Sequence, residues 1–212
     1  MTDCCDPSGY ESVFSGRFAR RRSRRYSRRG LTPAATRVLD FAADGIEGAS
    51  VLEIGGGVGE LQVELLKRGA ARVTNLEISG SYEDEAARLL ERSGLGGRVT
   101  RRIVDIATAP DEVEPADVVV LHRVVCCYPD HARLLKAAAA HAGRRLVFSH
   151  PADNLLTRTE FGAENLYRRL TRNSFRAFIH PPDAMIAAAE SDGLVTTYRH
   201  HSREWDVVGL VR

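Results

Sequence analysis

Short apolar runs alternate with amphipathic segments from about residue 50 to the end of the chain. Five runs predict strands: Val51–Ile54, Val73–Glu77, Val99–Val104, Asp117–Leu121 and Arg145–Ser149. Most of these runs are almost continuously apolar, which is typical of parallel strands that helices cover on both faces.

Segments with helical periodicity lie between the predicted strands. One has apolar residues from Val58 to Leu66 and ends at Gly69, and a second runs from Glu83 to Ser93. A third spans about His131 to Ala142 and ends at Gly143. A glycine directly after the last periodic residue is a common way for a helix to end.

The last two apolar runs, Leu194–His200 and Trp205–Val211, are joined by a polar turn and predict an antiparallel hairpin. Alternation of strands and helices favours an α/β fold. The predicted architecture is a doubly wound seven-stranded sheet, mostly parallel, with a C-terminal antiparallel hairpin and helices on both faces. We predict an N-terminal arginine-rich helical lid over residues 1–48 and a main domain over residues 49–212. A second lid segment is expected as an insertion at about 151–182.

Charge is unevenly distributed along the 212 residues. The net charge is only +2, but eight arginines lie between Arg17 and Arg29. The rest of the chain therefore has a net charge of −6. Tyr10, Phe14, Phe18 and Tyr26 follow helical spacing and predict one aromatic stripe along an arginine-covered helix. This segment and the aromatic residues of the 151–182 insertion are expected to roof a site. An alternative is that the arginines only face water.

Several classes of protein are disfavoured by composition. No apolar stretch approaches the roughly 18 residues that a membrane span needs, and the first residues have no apolar core typical of a secretory signal. The pairs Cys4-Cys5 and Cys126-Cys127 are poorly spaced for disulfides, and no C-x-x-C metal spacing occurs. We therefore expect a cytoplasmic protein without a metal and without a membrane partner.

A glycine-rich turn follows the first predicted strand, with the sequence Glu53-Ile54-Gly55-Gly56-Gly57-Val58-Gly59, and leads directly into a helix. Such a turn allows positive φ angles and close approach of a ligand to the backbone. A dinucleotide fingerprint would place a third glycine at position 60, where Glu60 would stand against a pyrophosphate. That spacing therefore disfavours a dinucleotide.

The E-x-G-x-G-x-G spacing resembles the first motif of class I S-adenosylmethionine-dependent methyltransferases. The resemblance implies S-adenosylmethionine as cofactor, an acid near its cationic end, and a strand-end carboxylate on its ribose. It also implies an acid and an apolar residue around the adenine. Glu77 or Asp105, taken alone, could instead be a solvated carboxylate at a strand end. The cofactor-binding residues that the resemblance predicts are Glu53, Gly55, Gly57, Gly59, Glu77, Ile78, Asp105, Ile106 and His122.

Within this class, the chain is similar to the magnesium-protoporphyrin IX methyltransferase-like group. The similarity lies at Tyr128-Pro129, in the stretch Arg144–Ser149 and at Arg176–His180. That group commonly has Asp or Asn after the fourth strand, where this chain has His122, and the difference argues against a porphyrin acceptor.

His122, Tyr128 and His150 are the predicted catalytic residues, with His180 as a further candidate. His122 follows the fourth strand, at the sheet edge where α/β folds bind ligands. Methyl transfer is an in-line displacement, so alignment supplies most of the acceleration, and a base such as His122 is needed only for an acceptor that must lose a proton. Alternatively, His122 caps the strand or contacts the cofactor through its backbone, and Tyr128 only packs.

The predicted activity is methylation of a small molecule, with O-methylation of an apolar or acidic metabolite as the favoured case. Methylation of RNA or another nucleic acid is one alternative, because the arginines could contact phosphates. No Asn-Pro-Pro-Tyr element follows the fourth strand, as it does in amino-directed base methyltransferases. The other alternative is a non-catalytic S-adenosylmethionine-binding protein. The oligomeric state is not indicated.

Overall fold

The predicted strands pair into a single sheet. In the computed structural model, which describes residues 7–212, seven strands lie in the order β3-β2-β1-β4-β5-β7-β6. β7 runs antiparallel to β5 and β6, and the other neighbouring pairs are parallel. The strands are β1 (Ser50–Ile54), β2 (Arg72–Glu77), β3 (Val99–Ile103), β4 (Ala116–Leu121), β5 (Ala142–Pro151), β6 (Val195–His200) and β7 (Trp205–Val211). The predicted fold class is confirmed.

Helices cover both faces of the sheet. They are α1 (Pro7–Val13), α2 (Gly16–Arg29), α3 (Pro33–Ala42), α4 (Glu60–Lys67), α5 (Glu83–Ser93), α6 (His131–Ala140), α7 (Leu155–Leu170) and α8 (Pro182–Glu190). α3 and α4 share one buried apolar cluster with the sheet, and α6 and α8 share the other. Fully buried side chains such as Leu52 and Phe148 form the core between these layers, and each contributes about 1.5–3 kcal/mol through burial.

The third predicted helix ends two residues earlier than its sequence pattern indicates. α6 ends at Ala140, and Ala142, the expected last helical residue, begins β5 and pairs with Ala116 of β4. Backbone pairing with β4 therefore determines this boundary. β5 also extends beyond the predicted Ser149 to Pro151, because β7 pairs with it there.

The predicted aromatic stripe is divided between two helices. α1 ends at Val13 and α2 begins at Gly16, so Phe14 lies in the break between them. Tyr26 packs against a separate apolar cluster with Leu89 and Leu90 and donates a hydrogen bond to Glu64 of α4. Cys4 and Cys5 lie outside the described residues. Among the helices of residues 7–212, none has the length and apolarity of a membrane-spanning segment.

The strand order creates a crevice at the carboxyl end of β1. Ile54, the last residue of β1, pairs with Leu76 of β2 on one side and with Leu121 of β4 on the other. In open α/β sheets, ligands bind where neighbouring connections diverge in this way.

Candidate active site

The glycine-rich turn connects β1 to α4 in a conformation that larger residues would strain. Gly55, Gly57 and Gly59 have φ angles of 68°, 62° and 88°, in the region that favours glycine. A Cβ atom on Gly55 would lie 2.5 Å from Val124. Gly56 has no positive φ, but a Cβ there would lie 2.3 Å from Oε2 of Glu53. The turn can therefore follow the strand ends closely only because it lacks side chains.

Glu77, at the end of β2, is directed at this turn. Its Oε1 accepts a hydrogen bond from the backbone N–H of Gly57 at 2.5 Å, and Arg101 of β3 lies 3.9 Å away. Burial raises the pKa of Glu77, and the hydrogen bond from Gly57 and the charge of Arg101 oppose that rise. Glu77 lines the main cavity, as a carboxylate that binds ribose hydroxyls must.

Glu53 is a buried acid near the end of β1, beneath the glycine-rich turn, and it does not line the main cavity. It is 1% exposed, and its Oε2 has no hydrogen-bond partner among the described residues. Burial raises the pKa of Glu53 to about 7. A buried carboxylate is costly unless it is paired, so this acid suits a ligand that brings a cationic group to the turn.

Asp105 and Tyr128 form a pair on the same side of the crevice. The hydroxyl of Tyr128 donates to Oδ2 of Asp105 at 2.8 Å, and Oδ1 accepts from the backbone N–H of Ala107 at 2.9 Å. Both residues line the main cavity together with Ile78 and Ile106. The arrangement places two polar groups beside apolar surface, as recognition of an adenine ring requires.

The main cavity has a volume of about 770 Å³, within the size range of cofactor and ligand pockets. Its floor is formed by the strand ends described above, and its roof by α1, α2, α7 and the segment after α7. Tyr10 and Phe14 both make edge-on contacts with Phe175 at centroid distances of 5.4 Å. The hydroxyl of Tyr10 also donates to the backbone carbonyl of Cys127.

α2 is fixed over the glycine-rich turn by a charged and an apolar contact. Arg22 donates to Glu60, the first residue of α4, at 2.6 Å. Ala19 is completely buried against Val58 and Tyr82. The arginine-rich helix therefore packs directly on the elements that form the cavity.

Comparison with known proteins agrees with this geometry. A family model described as a methyltransferase domain matches residues 18–195. The chain belongs to this methyltransferase family. No curated protein sequence matches the chain.

Several solved structures share the fold of this methyltransferase domain. Magnesium protoporphyrin IX methyltransferase from Synechocystis PCC 6803, with bound SAH, superimposes with a TM-score of 0.66 at 24% identity, over 84% of this chain and 81% of that one. An O-methyltransferase family protein from Burkholderia thailandensis has a TM-score of 0.72 at 19% identity, over 92% of this chain and 58% of that one. An O-methyltransferase family 2 protein from Planctomyces limnophilus, in complex with apigenin, has a TM-score of 0.67 at 19% identity, over 92% of this chain and 61% of that one.

The expected class, a class I methyltransferase, is confirmed, and these findings support S-adenosylmethionine as the cofactor. The chain spans only about three fifths of the two O-methyltransferase family proteins that it resembles.

The three predicted catalytic side chains of this methyltransferase domain occupy different surroundings. Tyr128 lines the main cavity. His122 instead lines an adjoining cavity of about 590 Å³, and its Nδ1 is 2.9 Å from Oγ of Ser149. His150 is buried, lines neither of these cavities, and has Nδ1 3.0 Å from the carbonyl of Pro151. The further candidate, His180, contacts the carbonyl of Tyr128 through Nε2 at 3.0 Å.

The pKa of His122 is well below its usual value because burial disfavours the charged imidazole, and the nearby Arg22 and Arg123 lower it further. Its ring is therefore neutral at neutral pH, as a general base must be. The catalytic roles of His122, Tyr128 and His150 stay predictions, as does the cofactor contact of His122.

Sequence reasoning missed two polar residues on β2 and β3 that contact the glycine-rich turn. Asn75 of β2 is completely buried and accepts the backbone N–H of Gly56 at 3.0 Å. Arg101 of β3 donates to the carbonyl of Gly57 at 2.9 Å and pairs with Glu83. Both strands carry several polar residues, β2 as Arg-Val-Thr-Asn-Leu-Glu and β3 as Val-Thr-Arg-Arg-Ile, so no local signal distinguished these two from their polar neighbours.

Cys126 and Cys127 also line the main cavity, with 3.6 Å between their sulfur atoms. Both are free thiols, and the hydrogen bond with Cys126, together with burial, raises the pKa of Cys127 well above its usual value. Within residues 7–212, no group of three or more His, Cys, Asp and Glu residues is arranged to hold a metal ion.

Proposed function

We propose that this chain catalyses S-adenosylmethionine-dependent methylation of a small molecule, with O-methylation of an apolar or acidic metabolite as the reaction. The observation that supports it most is the continuous cavity. It joins most of the predicted cofactor residues, among them Gly57, Glu77 and Asp105, to an aromatic roof made by α1, α2 and the segment after α7, whereas Glu53 and Gly59 lie outside its lining.

The residues present fit the cofactor. The glycine-rich turn leaves room where Cβ atoms would otherwise clash, and Glu53 offers a buried oxygen without a partner. Glu77 would accept the ribose hydroxyls, Glu53 would hold the cationic amino end, and Asp105 with Ile78 and Ile106 would hold the adenine. The cofactor supplies an electrophilic methyl group on a sulfonium.

The remaining residues bind and orient the acceptor and exclude water. The roof covers the cavity with apolar rings such as Phe14 and Phe175, and an enclosed, oriented acceptor needs little further help for an in-line displacement. In this proposal, His122 would remove a proton from an acceptor hydroxyl where the two cavities adjoin.

The first test is calorimetry with S-adenosylmethionine, SAH and NAD. We expect micromolar binding of the first two and no heat with NAD. Binding of NAD alone would contradict the cofactor assignment. Transfer of a labelled methyl group to a panel of hydroxylated and carboxylated small molecules then tests the reaction. Cofactor binding with no transfer to any acceptor in a broad panel would favour a non-catalytic S-adenosylmethionine-binding protein.

Nucleic acid is the second candidate acceptor, because α2 exposes most of its positive charge. Of the eight arginines in α2, only Arg22 forms an ion pair among the described residues, and the other seven are solvent-exposed. Neutralising phosphates with arginines makes binding strongly dependent on salt. RNA retention that falls steeply between low and physiological salt would support this acceptor, and weak retention that salt does not change would exclude it.

A further inference from the structure

Two cavities adjoin at the carboxyl end of β4, and they share one wall. The main cavity is lined by six of the nine predicted cofactor residues, and the second cavity is lined by another, His122. The side chains that line both cavities are Phe18, Arg22, Arg123, Arg203, Glu204 and Trp205. Three arginines from elements far apart in the sequence therefore meet between the place predicted for the methyl donor and the predicted base.

Arg123 is the unusual member of this wall. It follows His122 directly after β4 and has a φ of 62°, in the left-handed region that residues other than glycine rarely adopt. Its backbone N–H donates to Oγ of Ser149 at 3.0 Å, the same oxygen that contacts His122. Backbone strain of this kind is unfavourable and tends to persist where a site requires it.

The guanidinium of Arg123 lacks the partner that such a charge normally has. Its Nε is buried without a hydrogen bond, and no carboxylate within residues 7–212 forms an ion pair with it. Its guanidinium carbon lies 4.3 Å from the centre of the Trp205 ring, so one face of the group is covered by the indole. The edge of the guanidinium remains as the surface that can donate to a ligand.

Positive charge exceeds negative charge around this group. Five arginines and two glutamates line the second cavity. One glutamate, Glu60, is already paired with Arg22, and the other, Glu204, is solvent-exposed on the turn between β6 and β7 and attracts Arg123 without forming an ion pair with it. His122 adds no charge at neutral pH, because burial lowers its pKa. An anion that binds at this wall would therefore meet a net excess of positive charge from the arginines.

We propose that Arg123, together with Arg22 and Arg203, binds the anionic group of the methyl acceptor, a carboxylate or a phosphate. The planar fork of arginine matches both groups. This inference rests on the proposed function, since it assigns the anion to the acceptor. The apolar body of the acceptor would then lie under the aromatic roof, and its reacting hydroxyl near His122.

The experiment uses benzoate and phenyl phosphate as probes, with benzamide as the neutral control. Affinity is measured by calorimetry on the full chain, with and without saturating SAH, and by the fluorescence of Trp205, the only tryptophan in the sequence. We expect saturable binding of at least one anion and none of benzamide. Comparison of the two anions shows whether the site prefers a carboxylate or a phosphate.

Arg123→Gln should weaken anion binding by about 10–100-fold, the loss expected for hydrogen bonds to a charged group. Arg203→Gln changes an exposed residue of the same wall and should also weaken anion binding. It keeps the test decisive if the Arg123 variant fails to fold. The matched control is Arg29→Gln, which removes an equal charge from an exposed position of α2 outside both cavities, and it should bind as the natural chain does.

Three results would overturn the proposal. The natural chain could fail to bind either anion, both wall variants could bind with unchanged affinity, or Arg29→Gln could lose as much affinity as they do. Failure of SAH to bind would instead count against the proposed function, because the titrations without SAH test the arginine wall separately.

Discussion

Glu53→Gln tests the central electrostatic feature of the site, a carboxylate buried without a partner for one of its oxygens. In the folded protein its pKa is about 7, compared with 4.5 for an unperturbed glutamate, and burial is the main cause. Each unit of pKa difference corresponds to about 1.4 kcal/mol, so the ionised group costs the folded state about 3 kcal/mol. The unfolded chain ionises first, and the cost therefore appears as pH rises from 4.5 to 7 and is complete above 7.

Removing the charge should therefore stabilise the free protein at pH 8 but not at pH 4.5. The expected gain of about 3 kcal/mol corresponds to roughly 6–12 °C in melting temperature for a domain of this size. The measurement is urea unfolding of both proteins across this pH range, read as the difference between the two stability curves. Glu91→Gln, on the exposed face of α5, is the matched control and should leave that difference flat.

Cofactor binding gives the same residue a second readout. A cationic amino group near Glu53 would favour its ionised form, so cofactor binding at about pH 6 should release a proton. Calorimetry in two buffers of different ionisation enthalpy measures that release, and Glu53→Gln should abolish it. This account of Glu53 would be refuted if the stability of Glu53→Gln and of the natural chain depended on pH in the same way and if cofactor binding released no proton.

Three further perturbations address the other parts of the site. Glu77→Ala should weaken SAH binding by about 1–3 kcal/mol, because a charged acceptor is lost; calorimetry measures it, and unchanged affinity would remove Glu77 from the cofactor site. His122→Ala should reduce turnover by roughly 10²–10⁴-fold with cofactor affinity nearly intact if it is a base. Because burial lowers its pKa, the natural chain should lose activity only at a pH lower than that at which an unperturbed histidine titrates, and near-normal turnover of the variant would exclude the role. Deletion of residues 1–29 should leave SAH binding measurable but abolish turnover, since it removes the roof from α1 and α2, and sustained turnover would show that the roof is dispensable.

Much of the fold could be predicted because it depends on local patterns. Buried parallel strands are apolar along their whole length, and the glycine-rich turn has few alternatives once a strand precedes it and a helix follows. The positions of Glu77 and Asp105 then follow from topology, because the ends of parallel strands meet at one edge. The helix end at Ala140 was misjudged because a local pattern does not contain the competing pairing with β4.

Side-chain direction at the strand ends was decided only by tertiary structure. Sequence position placed His122 at the correct edge, but the backbone of Arg123 and the bond to Ser149 determine which cavity the imidazole lines. These contacts join residues about 27 positions apart, beyond the reach of any periodicity.

The sequence by itself determined the fold class, the family resemblance and the predicted cofactor residues, since these depend on spacing within one strand, turn or helix. Tertiary structure alone decided that Arg22, Arg123 and Arg203 share one wall, and that Glu53 is buried with one oxygen lacking a partner. The physical reason is that burial and electrostatic environment arise from packing between elements distant in sequence, and the cost or benefit of a charge depends on that environment.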